Sequence, residues 1–304
     1  MADLSINIAG VNFKNPIITA SGTFGFGKEY NDFYDIDKLG GISCSAVTLE
    51  KRPGNPPPRI AETPAGMLNS VGLQNPGVKS FIKDDLPWLK KQDLVVIANI
   101  AGSTYEDYSE SVELVSSSDV DMVELNISCP NVKEGGVAFG TNCQSVELIT
   151  KTVRKVCKKP LIVKLSPNVT DISEIAKAAE AAGADAISLI NTLTGMQIDI
   201  ETKRPLLKNN VGGLSGPAVF PVALRMVWQV ANSVKLPVIG MGGISTWQDA
   251  VQMFLAGASA IQVGTANFLD VYAPLKIIDG LGAYLNDKGH ANIKDIIGKV
   301  EVWQ

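Results

Sequence analysis

The sequence predicts a closed (β/α)8 barrel with an N-terminal β-hairpin and long βα loops over its C-terminal face. Three observations carry that reading. Eight short, apolar, β-rich runs recur along the chain. Helical patterns alternate with them, and the alternation extends over about 250 residues, the usual length of such a barrel.

The elements follow in order. A hairpin is expected at Ser5–Ile8 and Val11–Lys14. Barrel strands are expected at Ile17–Ala20, Gly41–Ser45, Leu94–Asn99 and Met122–Asn126, then at Leu161–Leu165, Ala186–Ile190, Pro237–Met241 and Ala260–Val263. Continuous apolar runs of this kind suit parallel strands buried on both faces. Amphipathic helices are expected at Asp107–Ser116, Ser145–Val156 and Pro217–Val234. Asp171 with Glu174 three residues on marks a helix start, Ile175–Ala182 continues it and Gly183 stops it. Thr246–Ala256, ending at Gly257, is built the same way. A doubly wound open sheet is the alternative, but it usually carries a GxGxxG turn after its first strand. Here that strand leads into Ala20-Ser21-Gly22-Thr23-Phe24-Gly25. Neither a repeat nor a linker interrupts residues 1–304, so one domain is expected. Three long stretches follow strands: Thr48–Gln92, Ile127–Asn142 and Asn191–Gly216. Long loops in compact domains tend to be functional, and in barrels they build the active-site face.

Composition removes several classes of function. A formal net charge of -4 leaves no basic surplus for nucleic acid. Apolar segments such as Leu94–Ile100 are far too short to cross a bilayer. The start Met1-Ala2-Asp3-Leu4-Ser5 has no basic residue before an apolar run, so no signal peptide is expected and the cytoplasm is the expected compartment. The four cysteines, at 44, 129, 143 and 157, have no spacing typical of zinc or an iron–sulfur cluster. The one histidine, His290, sits in a polar C-terminal stretch and reads as a solvated residue. Histidine triads are therefore excluded, and acid–base chemistry falls to Cys, Lys, Asp, Glu or Tyr.

A specific set of residues is expected at the barrel mouth: Ser21, Ser45, Asn99, Asn126, Lys164, Asn191, Gly242-Gly243 and Gly264-Thr265. Strand ends are often polar, but that accounts for one or two of these rather than the whole set. Glycines in Val211-Gly212-Gly213-Leu214-Ser215-Gly216, Gly240-Met241-Gly242-Gly243 and Val263-Gly264-Thr265 would let backbone N–H groups approach an anion. Each cluster alone is as readily a tight turn. Together, after the seventh and eighth strands, they point to a phosphate-bearing ligand. Lys164, among apolar strand neighbours, would either form a Schiff base or hold negative charge on a cofactor ring. Cys44 and Cys157 read as core, and Cys143 as a residue that caps or enters a helix. Cys129 differs, lying in the loop Asn126-Ile127-Ser128-Cys129-Pro130-Asn131, where a thiol can serve as base or nucleophile rather than as a buried filler.

These motifs together resemble a known family. Arg52–Arg59, Glu62–Asn69, Gly72-Leu73-Gln74-Asn75-Pro76-Gly77, Glu124–Asn131, Lys164–Asn168, Ile190-Asn191-Thr192 and the glycine clusters occur in the order found in dihydroorotate dehydrogenases. The chain is most similar to the flavin-binding catalytic subunits of the bacterial NAD-linked class, 1B. The resemblance covers almost the whole chain. It implies FMN at the mouth, with its phosphate near Gly216, Gly242, Gly243, Gly264 and Thr265. Ser21, Ser45, Ala46, Asn99, Asn126, Lys164 and Ile190 would line the flavin. Dihydroorotate or orotate would meet Ser45, Asn69, Ser70, Val71, Gly72, Leu73, Asn126, Asn131, Asn191 and Thr192, a set whose amides suit a pyrimidine ring. Cys129 would take the C5 proton while hydride passes from C6 to the flavin. The resemblance also implies a homodimer joined, as a heterotetramer, by a partner subunit carrying FAD and a [2Fe–2S] cluster. Related one-subunit enzymes use fumarate instead. The membrane-bound, quinone-linked class, which has an N-terminal hydrophobic extension and typically serine as base, is not expected.

One position departs from the family pattern. A lysine normally ends the second strand in a Lys-x-x-Thr context, and here the aligned residue is Ser45 in Ser45-Ala46-Val47-Thr48. Serine cannot balance a substrate carboxylate or a reduced flavin. Lys51 is six residues on and is not expected to replace it. Weak substrate affinity and slow flavin reduction are the expected consequences. Rival readings are a dihydropyrimidine-dehydrogenase-like reductase, a Schiff-base aldolase using Lys164, and a flavoprotein that binds without turnover.

Overall fold

A computed structural model describes residues 2–127 and 139–303. The chain opens with the hairpin β1 (Ile6–Ile8) and β2 (Val11–Phe13), followed by β3 (Ile17–Thr19) and β4 (Gly41–Ser43). A second hairpin, β5 (Ile60–Thr63) and β6 (Gly66–Asn69), precedes β7 (Val95–Ile100), β8 (Met122–Asn126), β9 (Leu161–Lys164) and β10 (Ala186–Leu189). Short strands β11 (Leu193–Gly195), β12 (Ile198–Asp199), β13 (Arg204–Pro205) and β14 (Gly212–Ser215) come next, then β15 (Val238–Met241) and β16 (Ala260–Val263).

Eight strands close into one barrel in the order β10-β15-β16-β3-β4-β7-β8-β9. Every adjacent pair is parallel. These are the eight runs expected from the sequence, and their apolar residues, such as Ile17, Ile42, Val96, Ile97, Val123, Leu161, Ile187 and Ile261, are fully buried. Burial on both strand faces explains why the runs are continuous rather than alternating.

Helix ends follow their caps. Thr104 accepts from Asp107 N–H in a capping box, so that helix runs Tyr105–Ser116 and Asp107 is its third residue rather than its first. Asn142 caps Cys143–Arg154, two residues earlier than expected. Asp171 caps Ile172–Ala181 and Thr246 caps Trp247–Leu255, with Gly183 and Gly257 in left-handed conformations just beyond. The segment from Pro217 divides into a 3-10 turn, Pro217–Val219, and a helix, Phe220–Ala231 with Pro221 in its first turn, where a missing N–H costs nothing.

The long stretches after strands are more ordered than loops. β11, β14, β6 and β5 form a four-stranded antiparallel sheet in that order, with Gly213 opposite Asn69. Thr48–Gln92 also holds helical turns between Val78 and Leu89. A helix at Ala273–Asp287 packs outside the barrel against β3 and the helix Trp247–Leu255. Strands of three or four residues show no period, and the pairing that joins the two halves of this sheet, β14 with β6, spans over a hundred residues, so local pattern conceals it.

Candidate active site

The C-terminal ends of the barrel strands bring the expected polar residues together. Asn99 lies one residue before the end of β7, Asn126 ends β8 and Lys164 ends β9. Ser21 lies two residues beyond β3, and Ile190-Asn191 follow β10. A row of amides runs around the mouth: Asn126 Nδ2 donates to Asn99 Oδ1 at 3.2 Å, and Asn191 Nδ2 donates to Asn126 Oδ1 at 3.4 Å. Asn191 Oδ1 in turn accepts the N–H of Thr192 at 2.8 Å. Lys164 is 5 % exposed and its Nζ donates to Ser21 Oγ at 3.4 Å. An ammonium so buried and so lightly bound suits a site that receives an anion.

The small antiparallel sheet roofs this row. Asn69 Nδ2 reaches Gly213 O at 3.4 Å, and Asn168 Nδ2 holds Thr192 O at 3.0 Å. Ser70 is buried and its Oγ has no hydrogen-bond partner among the described residues. Val71, Gly72 and Leu73 continue from it, with Gly72 and Leu73 at positive φ, 79° and 56°. Asn75 pins this turn: its Nδ2 donates to Leu73 O at 2.7 Å while its Oδ1 accepts from Thr48 and Gly77 N–H. Thr192 packs close enough to Gly213 that a Cβ there would meet its Oγ1 at 2.0 Å.

The glycine loops make one cradle. Gly216 has φ +99°, and a Cβ there would come within 2.6 Å of Gly66 Cα. A Cβ on Gly243 would meet Gly216 O at 2.8 Å, and Thr265 Oγ1 donates to Ser215 Oγ at 2.8 Å. A Cβ on Gly264 would have only Ala20 Cβ near it, at 3.6 Å. The loops after β14, β15 and β16 therefore converge, and their backbone is as bare as close approach to a phosphate requires. With a buried lysine and an amide row beside it, the donor set fits a flavin mononucleotide.

Ser45 follows β4, half-buried, with its N–H bonded to Gly25 O at 2.9 Å and Ala46 next to it. Lys51 lines a cleft with Arg52, Ser103, Thr104 and Asp107. Cys129 and Asn131 lie outside the described residues. Cys44 and Cys157 are buried, and burial pushes both thiols up, which makes them inert filler. Cys143 is the first residue of its helix. His290 follows the helix Ala273–Asp287, part-exposed.

Glu124 was not among the expected site residues. It sits at the middle of β8, fully buried inside the barrel. Its Oε2 accepts from Ser43 Oγ at 2.8 Å and Asn99 Nδ2 at 2.5 Å, and its Oε1 from Ser188 Oγ and Gln262 Nε2, both at 2.8 Å. The available signal was a lone acid in an apolar strand, Met122-Val123-Glu124-Leu125-Asn126. Burial raises its pKa, but Lys164 and the hydrogen bonds from Ser188, Ser43 and Asn99 outweigh it, holding the carboxyl below its ordinary value of 4.5. A lowered carboxyl stabilises the fold above its unfolded value, and that stability is lost as pH falls through the folded one. Urea-unfolding midpoints from about pH 7 to about pH 3 should fall less steeply for Glu124→Gln than for the wild type. Parallel profiles would show that Glu124 contributes nothing to acid stability.

The fold and this site define a class: a (β/α)8 barrel with a buried lysine, a row of amides and a cradle of glycine loops at its mouth. A family model described as dihydroorotate dehydrogenase matches residues 3–285. Proteins named dihydroorotate dehydrogenase B (NAD(+)), catalytic subunit, are similar along their whole length. One from Alkaliphilus oremlandii is 58 % identical over 98 % of this chain and 99 % of its own. One from Bacteroides thetaiotaomicron is 57 % identical over 99 % and 100 %, and one from Caldicellulosiruptor bescii 53 % over the same shares. The chain belongs to the dihydroorotate dehydrogenase family.

Proposed function

We propose that this chain oxidises dihydroorotate to orotate in pyrimidine biosynthesis, as the catalytic subunit of an NAD-linked enzyme. The observation that carries the reading is the convergence of Lys164, the Asn99–Asn126–Asn191 row and the glycine cradle on one mouth, in a chain of this family. FMN, when bound, supplies the hydride acceptor. Gly216, Gly242, Gly243, Gly264 and Thr265 would hold its phosphate, and Ser21, Ser45, Ala46, Asn99, Asn126, Lys164 and Ile190 its ring. Asn69, Ser70, Val71, Gly72, Leu73, Asn126, Asn131, Asn191 and Thr192, with Ser45, would bind and orient the pyrimidine. Cys129 would remove the C5 proton, and the antiparallel sheet would keep water from the reacting face.

The names of the relatives favour NAD over fumarate as final acceptor, so a second subunit carrying FAD and a [2Fe–2S] cluster belongs to the reading, as do a homodimer of this chain and a cytoplasmic site of action. No helix among the described residues is long and apolar enough to cross a membrane. Ser45 favours one second reading, a dihydropyrimidine reductase, because a neutral uracil-type ring needs no cation. Anaerobic stopped-flow mixing of the flavoprotein with dihydroorotate, then with dihydrouracil, decides between them. Bleaching of the flavin by dihydroorotate alone is the expected result; bleaching by dihydrouracil alone would establish the reductase reading.

A further inference from the structure

The barrel interior below the mouth holds a charge pair. Barrels of this kind are usually filled by branched apolar side chains. Here Ser43, Asn99, Glu124, Ser188 and Gln262, all fully buried, form a polar layer around one carboxylate. Glu124 lies two residues before Asn126 on β8, so both face inward, and Lys164 is the register partner of Asn126 on β9. Lys164 is therefore the diagonal neighbour of Glu124 on the interior face, within reach of a long side chain. Among the described residues these are the only buried carboxylate and the only buried ammonium.

We propose that Glu124 is a positioning residue for the redox step, acting through Lys164 to set how strongly the site favours the reduced, anionic form of its flavin. The inference rests on the reading that the flavin ring lies against Lys164. A lone buried ammonium would stabilise the reduced anion and so hold back electrons that must move on to an acceptor. A carboxylate fixed by four donors offsets that charge without being able to move away. In a low-dielectric interior, charges one residue-layer apart interact far more strongly than in water.

The glutamine variant isolates the charge. Gln262 Oε1 has no partner among the described residues, so Gln262 can turn its amide over and accept the N–H that Glu124→Gln introduces. Asn99 and Ser43 would keep an acceptor. The experiment is spectroelectrochemical titration of purified holoprotein, with flavin per chain measured alongside. Glu124→Gln is expected to retain FMN, since the glycine cradle is untouched, and to raise the flavin potential by about 30 mV or more. That is a tenfold change in the reduced-to-oxidised ratio of a two-electron couple. The double variant Glu124→Gln/Gln262→Glu restores a carboxylate to the layer and should bring the potential most of the way back. Ser188→Ala removes a donor but no charge and should leave the potential at the wild-type value.

A wild-type potential in Glu124→Gln, or an equal shift in Ser188→Ala, would overturn the proposal. If Glu124→Gln does not fold, a folded double variant near the wild-type potential, beside an unshifted Ser188→Ala, supports it. Failure of both to fold would assign Glu124 to folding alone. Lys164→Met separates the two levels of inference: a potential that ignores Lys164 would refute the placement of the flavin. Sensitivity to Lys164 without sensitivity to Glu124 would refute only the role given to Glu124.

Discussion

Replacing Cys129 by alanine is expected to slow reduction of the flavin by dihydroorotate by about 10²- to 10⁴-fold, the usual contribution of a positioned general base. Orotate binding should stay near that of the wild type, because the amide row and its roof remain. The size of the loss follows from what else stands at the mouth. Glu124 is committed to four hydrogen bonds and held below its ordinary pKa, so it is a poor proton acceptor. Lys164 is buried at the end of β9, and its Nζ donates to Ser21 Oγ. His290 belongs to the turn after the outer helix Ala273–Asp287. None of these can replace the thiol. Single-turnover stopped flow is the check, and a Cys129→Ala protein that bleaches at the wild-type rate would remove Cys129 from the chemistry. A Cys129→Ser protein should retain part of the rate, more of it at alkaline pH, since its hydroxyl is the weaker acid.

Replacing Ser45 by lysine carries the second large effect, and in the opposite direction. A lysine there would place an ammonium beside the substrate carboxylate and the flavin, where electrostatic stabilisation in a water-poor site is worth about tenfold or more. Ser45 is half-buried just beyond β4, with its backbone already held by Gly25 O, so the longer side chain needs no change in the chain path. Orotate affinity and the rate of flavin reduction should both rise about tenfold or more. The response to dihydrouracil should not follow, because that ring carries no carboxylate. Orotate titration of the flavin spectrum and the same stopped-flow assay measure both. If neither changes, Ser45 does not face the carboxylate and the departure from the family pattern has no functional consequence.

Much of this site was legible in the chain because a barrel converts strand ends into one place. Once Met122–Asn126 and Leu161–Leu165 are read as strands, Asn126 and Lys164 must share a mouth, whatever lies between them. The glycines were legible for a related reason, since only bare backbone permits the approach of Gly243 to Gly216 O that the fold requires. Glu124 was passed over because a single acid inside an apolar run breaks no period. What it does depends on Ser43, Ser188 and Gln262, from three other strands.

The sequence by itself determined the barrel, the order and nearly the limits of its eight strands, the capped helices Ile172–Ala181 and Trp247–Leu255, and the family. Each is written in short-range pattern: continuous apolar runs, a capping acid three residues on, a glycine at a helix end. Only the tertiary structure decided that β5, β6, β11 and β14 pair as a roof over the mouth, and that Glu124 closes a polar layer beneath it. Those features consist of contacts between segments up to about 140 residues apart, as with Glu124 and Gln262, and residues that meet only through closure of the barrel leave no local mark on the chain.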